Sequence, residues 1–285
     1  VLTGSRGRYA CAIDDAEFVV PATVQATIAS RIDRLVQAVK RTLHAAAVIG
    51  LRFDSTQLAL LDNEAQIGPL LAAELIDQVR FSPHAEYAFH HPLVRIVAYE
   101  SQLKSQRATL HRRLAAAIEQ HHSDALDENA AMLAEHLEAA DDLPDAFGWH
   151  MRAGAWAQHR DIRAARVSWE RARAVADRLP IDVAGRSSMR IAPRTLLCGS
   201  VWRVGGNVED TGFDELRELC TACGDQVSLA VGMAGLLTTM VFHSRYQEAP
   251  LLTAQFVELL ESIGDPDLSV GLLFAALWAN LEPGD

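Results

Sequence analysis

Apolar residues recur at Val24, Ile28, Ile32 and Leu35, three or four positions apart, and predict a helix over residues 24–36 entered at Pro21. A second helix is expected over residues 39–49. It stops at Gly50, a residue free to adopt the left-handed conformation that ends helices. Asp54 stands where an N-cap would open a short helix through Leu61. Leu70, Leu71, Leu75 and Ile76 mark the inward face of a further helix over residues 66–79. The period then changes. "VRFSPHAEYAFH" alternates around Ser82-Pro83-His84-Ala85, which is turn chemistry between two strands. Three helices followed by a β-hairpin make a winged-helix pattern.

The hairpin runs into "YAFHHPLVRIVAYES", where the aromatic alternation of Tyr87 and Phe89 stops at His90-His91-Pro92. A helix over residues 91–101 follows, with Leu93, Val94, Val97 and Ala98 on one side and Arg95 and Glu100 on the other. Ser105 is the expected cap of the next helix. Its stripe is Leu110, Leu114 and Ile118, with Arg107, His111 and Arg112 off the stripe.

From Glu128 onward the pattern is of helices joined by short breaks, and one stretch fits a 34-residue tetratricopeptide repeat. Counted from Ala146, small residues fall at Ala153, Ala165 and Ala172 and large ones at Trp149, Trp156 and Trp169. Small residues let paired helices close, and large ones, Trp156 above all, fill the space between them. A second, degenerate unit places Ala249 and Phe256 at equivalent positions, after a helix over residues 229–241. A third helix over residues 268–281 ends at "EPGD", where an inter-helix turn would fall, so the array is expected to stop halfway through a unit.

Composition narrows the functions open to such a chain. It has 285 residues, 49% hydrophobic and 22% charged, enough for two globular units. Its net charge of −11 argues against a general nucleic-acid surface, which must be basic to displace counterions from phosphates. The helix expected over residues 66–79 would be the groove reader of a DNA-binding winged helix. It carries Glu74 and Asp77, with a base only at Arg80. Packing, not DNA reading, is its expected role. Lys40 and Lys104 are the only lysines; the arginine- and alanine-rich composition matches the coding bias of a high-GC bacterium.

No apolar run reaches the roughly 20 residues of a membrane span. Four cysteines do not make a disulfide framework in a chain this long, and the cytoplasm is the expected compartment. Residues 9–13 and 17–20 read as strand fragments whose partners would lie upstream, so the chain is expected to begin inside a larger architecture.

A search for reactive chemistry finds little. The only Lys-Ser pair, Lys104-Ser105, has no glycine loop before it, and "GSRGR" near the N-terminus has no lysine. Cys220 and Cys223 form a CxxC without a second pair, which reads as two helical cysteines with one buried. His121 and His122 suit a helix C-terminus, and His136, His150 and His159 lack ligand spacing. No catalytic residue, metal site or cofactor is expected, and the chain reads as a non-enzyme.

Taken together, "VPATVQATIASRIDRL", "LHAAAVIGLRF", "LAAELID" and above all "YAFHHPLVRIVAYESQLKSQRATLHRRLAAAIE" resemble the signal-transduction ATPases with numerous domains, the STAND class. The likeness is to bacterial members with an AAA/NACHT-like ATPase core, a winged helix and tetratricopeptide repeats, and it covers residues 20–176 best. In such regulators an adenylate cyclase domain can precede the core, or a LuxR-type helix-turn-helix can follow the repeats. The phosphate loop, acidic strand and sensor arginine of the core are not found in this chain.

The resemblance implies a mainly α fold in three parts: 1–19, a remnant of the upstream ATPase region; 20–122, winged helix; and 123–285, a solenoid of degenerate tetratricopeptide-like repeats truncated at its end. In that family the histidine of the "F-x-H" junction sits near the bound nucleotide's phosphates, a role that falls on His91, with His90 where arginine is common. The implied function is non-catalytic: a regulatory fragment that couples a nucleotide switch in an upstream ATPase module to protein partners held by the repeats. The alternative is a part of an ATP-binding adenylate cyclase or of a LuxR-type transcriptional regulator. The reading frame upstream discriminates between them.

Overall fold

The computed structural model describes residues 2–5, 8–11, 22–82, 84–121, 123–245 and 247–279. Contacts divide the chain into two units, Val1–Leu110 and His111–Asp285. The chain is mainly helical, and none of its described helices is long and apolar enough to cross a membrane.

In the first unit, β1 (Leu2–Ser5) and β2 (Arg8–Cys11) pair antiparallel. β2 overlaps the first of the two strand fragments expected from sequence, residues 9–13, but its partner is β1 and not a strand upstream of the chain; residues 17–20 lie outside the described residues. Then come α1 (Ala22–Asp33), α2 (Gln37–Ile49), β3 (Arg52–Asp54), α3 (Ser55–Leu61), α4 (Ile67–Ala72), β4 (Ile76–Arg80), β5 (Glu86–Phe89) and α5 (Pro92–Glu100). The three short strands form one antiparallel sheet in the order β3-β5-β4, so the first strand pairs with the last.

Asp54 caps α3 as expected: its Oδ1 accepts the Gln57 amide at 2.7 Å, and Gln57 Oε1 accepts the Asp54 amide at 3.3 Å. Ile28 and Ile32 of α1 are buried, but Val24 is largely exposed. α2 packs on α3, α4, α5 and β3, and within the sheet Phe53 stacks on Tyr87 at 5.8 Å and meets Phe89 at 5.9 Å. A buried Thr42 hydroxyl donates to Asp62 at 2.6 Å and accepts the Gln66 amide at 2.9 Å, which ties α2 to the loop before α4. Arg95 of α5 donates to the Ala47 carbonyl at 3.1 Å and holds α5 on α2.

Three sequence expectations change here. The helix expected over 66–79 ends at Ala72; Glu74 takes a φ of 50°, in the left-handed region, and the chain re-emerges as β4. A pair such as Leu75-Ile76 fits either period, and here Ile76 pairs with Phe89 across the sheet. Gly50 is extended (φ 161°), not left-handed. β3 has no counterpart among the expected elements, because three residues give no readable alternation.

The second unit begins within α6 (Lys104–His121), which starts one residue before Ser105, so Ser105 is not its cap. His111, placed off the apolar stripe by sequence, is buried at 4% exposure. His122 lies outside the described residues. α7 (Leu126–Ala139), α8 (Leu143–Ala157), α9 (Ile162–Arg178) and α10 (Arg186–Gly199) follow, then two 3-10 turns (Val201–Val204 and Val208–Thr211). α11 (Phe213–Cys223), α12 (Gln226–Phe242), α13 (Ala249–Ile263) and α14 (Pro266–Ala279) complete the unit. Each helix from α7 to α14 packs on its sequence neighbours, and α10, α12 and α14 also pack on one another in that order.

The α8–α9 pair is closed by small residues, with Ala146, Ala153, Ala165 and Ala172 all buried. Trp156 is only half-buried, with the Arg160 guanidinium over its ring at 4.6 Å. The residue that fills the space is Trp169, at 2% exposure. It lies against Gly154, where an added Cβ would come within 2.1 Å of the indole Nε1. A second close approach is backbone on backbone: a Cβ at Gly235 of α12 would meet Gly199 Cα at 2.5 Å and Cys198 O at 2.9 Å. Glycine there lets α10 and α12 touch. Ala249 and Phe256, both singled out from sequence, are fully buried in the α12–α14 core.

Candidate functional site

The His-His-Pro junction is built by β5 and α5. β5 is the central strand of its sheet, so the chain leaves it at a fixed point, and Pro92 pre-sets the backbone angle of the first helical residue. His91 is the N-cap of α5: its Nδ1 accepts the Leu93 amide at 3.1 Å. An accepting Nδ1 carries no proton, so the neutral ring holds its hydrogen on Nε2. The side chain is exposed, and this N–H faces no protein partner among the described residues. His91 therefore stands at a helix start with a donor to offer, where the helix dipole favours an anion; Pro92 has no amide N–H, and the Leu93 and Val94 amides donate to His91 itself.

His90 points elsewhere. Its Nδ1 lies 2.8 Å from Asp77 Oδ2 on β4, and both side chains are about half exposed. The two histidines are thus separated in role by their own backbone: one ties the sheet, one caps the helix. The Asp77–His90 pair escapes a sequence reading that places Asp77 on a helix. The stretch "IDQVR" carries no alternation that could have found it, since its apolar residues Ile76 and Val79 lie three apart.

The second unit has its own polar centre, Glu138 of α7. It accepts from His150 at 3.2 Å, Arg171 at 3.2 Å and Arg178 at 3.0 Å, joining α7, α8 and α9. His111 and His136 form a separate, buried pair, Nδ1 to Nδ1 at 3.1 Å. Neither pairing is visible in residue spacing. His159 is exposed just past the end of α8. Cys220 is buried and Cys223 exposed; burial pushes both the Cys220 and the Cys198 thiols up to about 12. Among the described residues no group of three or more His, Cys, Asp or Glu side chains is arranged to hold a metal ion.

Burial holds the His150 imidazole below its ordinary value, although Glu138 favours its cation. His44 of α2 is lowered by burial first and by Lys40 second. Both rings bind a proton more readily in the unfolded chain. Their contribution to stability is complete above about pH 6.5, the unfolded value, and is lost as the pH falls below it towards their lowered folded values. Denaturation midpoints should therefore drop between about pH 7.5 and pH 5.5, and the drop should shrink in His150→Gln. A midpoint that rises on acidification contradicts this sign.

No family model matches the chain, and no solved structure matches it. Over 137 residues it is 30% identical to an uncharacterized protein of Rhizobium meliloti (strain 1021). That match covers 46% of this chain and 13% of the relative, so the chain spans only a small part of the length of the protein it resembles.

Proposed function

We propose that this chain is a non-catalytic regulatory segment of a STAND-type ATPase regulator, coupling a nucleotide switch to partner binding by a helical array. The observation that carries the reading is His91. It leaves a hairpin sheet, caps the following helix through Nδ1, and keeps an exposed Nε2–H for an anion. A phosphate of a nucleotide held by an upstream module could accept that hydrogen and fix the sheet against the module.

Two further features support the reading. The order helix, strand, two helices, hairpin, with β3-β5-β4 pairing, fits a winged helix. The α8–α9 pair, with its buried alanines and Trp169, fits a tetratricopeptide unit, and the helices after it fit a degenerate solenoid. A segment similar to nearly half of this chain also lies inside a much longer rhizobial protein, as a module of a multidomain regulator would. α4, the helix at the DNA-reading position of a winged helix, is "IGPLLA" and carries no base. Proteins, not nucleic acid, are the proposed partners.

The test has two arms. The purified chain is expected not to turn over ATP, because no residue set found in its sequence can cradle the β- and γ-phosphates and Mg²⁺. Turnover that co-purifies with the chain sinks the non-catalytic reading. With an upstream phosphate-loop ATPase module supplied in trans or by fusion, association should depend on ADP, and His91→Ala should remove that dependence. In the isolated chain the same change should cost about 1 kcal/mol or less, the scale of one exposed cap. A large loss of stability with unchanged nucleotide dependence makes His91 structural only.

A further inference from the structure

α11 and α13 both pack on α12, and between them opens a cavity of about 350 Å³. Its floor is Leu229 and Met233 of α12. One wall is Phe213 and Arg217 of α11; the other is α13, with Leu252, Gln255, Leu259 and Ser262 at successive three- and four-residue steps. Ten residues of helix make the groove about 15 Å long at 1.5 Å per residue. Spread over that length, the volume holds a single row of about two to three side chains and no backbone. Such a slot fits the apolar stripe of a helix lying along it, whose i, i+4 and i+7 side chains span about 10.5 Å of that length.

The charge at the lip is one-sided. Arg217 lies 2.7 Å from Asp214 on its own helix, both side chains exposed, with its guanidinium 5.7 Å from the Phe213 ring centre, so the pair adds no net charge to the lip. Glu258, exposed on α13 and lining the cavity, has no ion-pair partner among the described residues. The whole chain carries −11. We propose that the α11–α13 groove is a docking site for an amphipathic helix of a partner protein, apolar on the face that enters and basic along its flanks. This deepens the reading of the helical array as an interaction module and rests on it. It also assigns the contact to α11 and α13 with α12 as the floor, and not to α10 or α14.

The probe is a fluorescent, lysine-flanked amphipathic peptide of about 18 residues, with leucines at i, i+4 and i+7, titrated against the full chain by anisotropy. Its counterparts carry glutamate flanks, or alanine in place of the leucines. The lysine peptide is expected to bind at least about tenfold more tightly than either counterpart, and to weaken as salt is raised. Glu258→Arg and Gln255→Trp, both at exposed positions, should each weaken it by about tenfold or more while leaving the melting curve in place.

Equal binding of the three peptides, binding untouched by either variant, or no binding up to about 1 mM overturns the proposal. So does self-association of the chain that Gln255→Trp abolishes, which would assign the groove to a second copy. The peptide assay needs no ATPase module. Its failure alongside intact ADP-dependent association rejects the groove alone, and loss of nucleotide dependence alongside intact peptide binding rejects the regulator reading alone.

Discussion

Trp169→Ala is expected to destabilise the protein by about 3–5 kcal/mol, the range for deleting a fully buried aromatic. Trp169 is at 2% exposure and its indole Nε1 has no hydrogen-bond partner among the described residues, so the loss is one of packing alone. Trp169→Phe should therefore recover much of it, since phenylalanine keeps most of the ring and removes a buried, unpaired N–H. Gly154→Ala attacks the same contact from the other side. Its Cβ would overlap the indole, and the forced shift should cost about 1–3 kcal/mol. Gly148, on the same helix and with nothing within 4 Å of where an alanine methyl would sit, is the control. There alanine should stabilise by up to about 1 kcal/mol through helix propensity. Trp156→Ala, at a half-buried site, should cost less than Trp169→Ala. Urea midpoints of the five variants check the order, and equal losses at Trp156 and Trp169 would show that the helical pair is not closed through Trp169.

Phe53→Ala should have a comparable effect on the first unit, about 3–5 kcal/mol. Phe53 is at 2% exposure and contacts both Tyr87 and Phe89, so its removal empties the space where β3 meets β5. Phe89→Ala, at 4% exposure, should behave alike because its ring lies in the same cluster. Phe81→Ala is the control, a residue of the same hairpin at 77% exposure, and should change stability by less than about 0.5 kcal/mol. Far-ultraviolet dichroism on heating reads all three. A mild Phe53→Ala variant would mean that β3 contributes little to holding the sheet.

These two sites also show how far the sequence can be read. The helical pairs are legible because alanine at 146, 153, 165 and 172 leaves a helix-period trace, and burial follows it. The cap at Asp54 is legible because Gln57 stands three residues on and closes the box. Phe53 is not, since a three-residue strand leaves no period, and its identity as a core anchor depends on pairing with residues 34 and 36 positions later. The Glu138 centre is hidden for the same reason: His150, Arg171 and Arg178 reach it from two other helices. At the candidate site, sequence singles out His91 but gives no hint that His90 is claimed by Asp77. That pairing needs the strand that the leucine-rich run conceals.

The closed slot between α8 and α9 has an optical consequence. All five tryptophans lie at or beyond residue 149, so indole emission reports the second unit alone. Four of them are partly exposed: Trp149 and Trp156 lie under arginines, Trp202 stacks on Phe242 at 5.4 Å, and Trp278 leans on that ring at 6.1 Å. Trp169, shielded by both helices, should emit furthest to the blue and resist acrylamide and iodide. Quencher titration would then separate its emission from the rest without any label, and the red shift of that protected fraction would time the opening of a single helical pair.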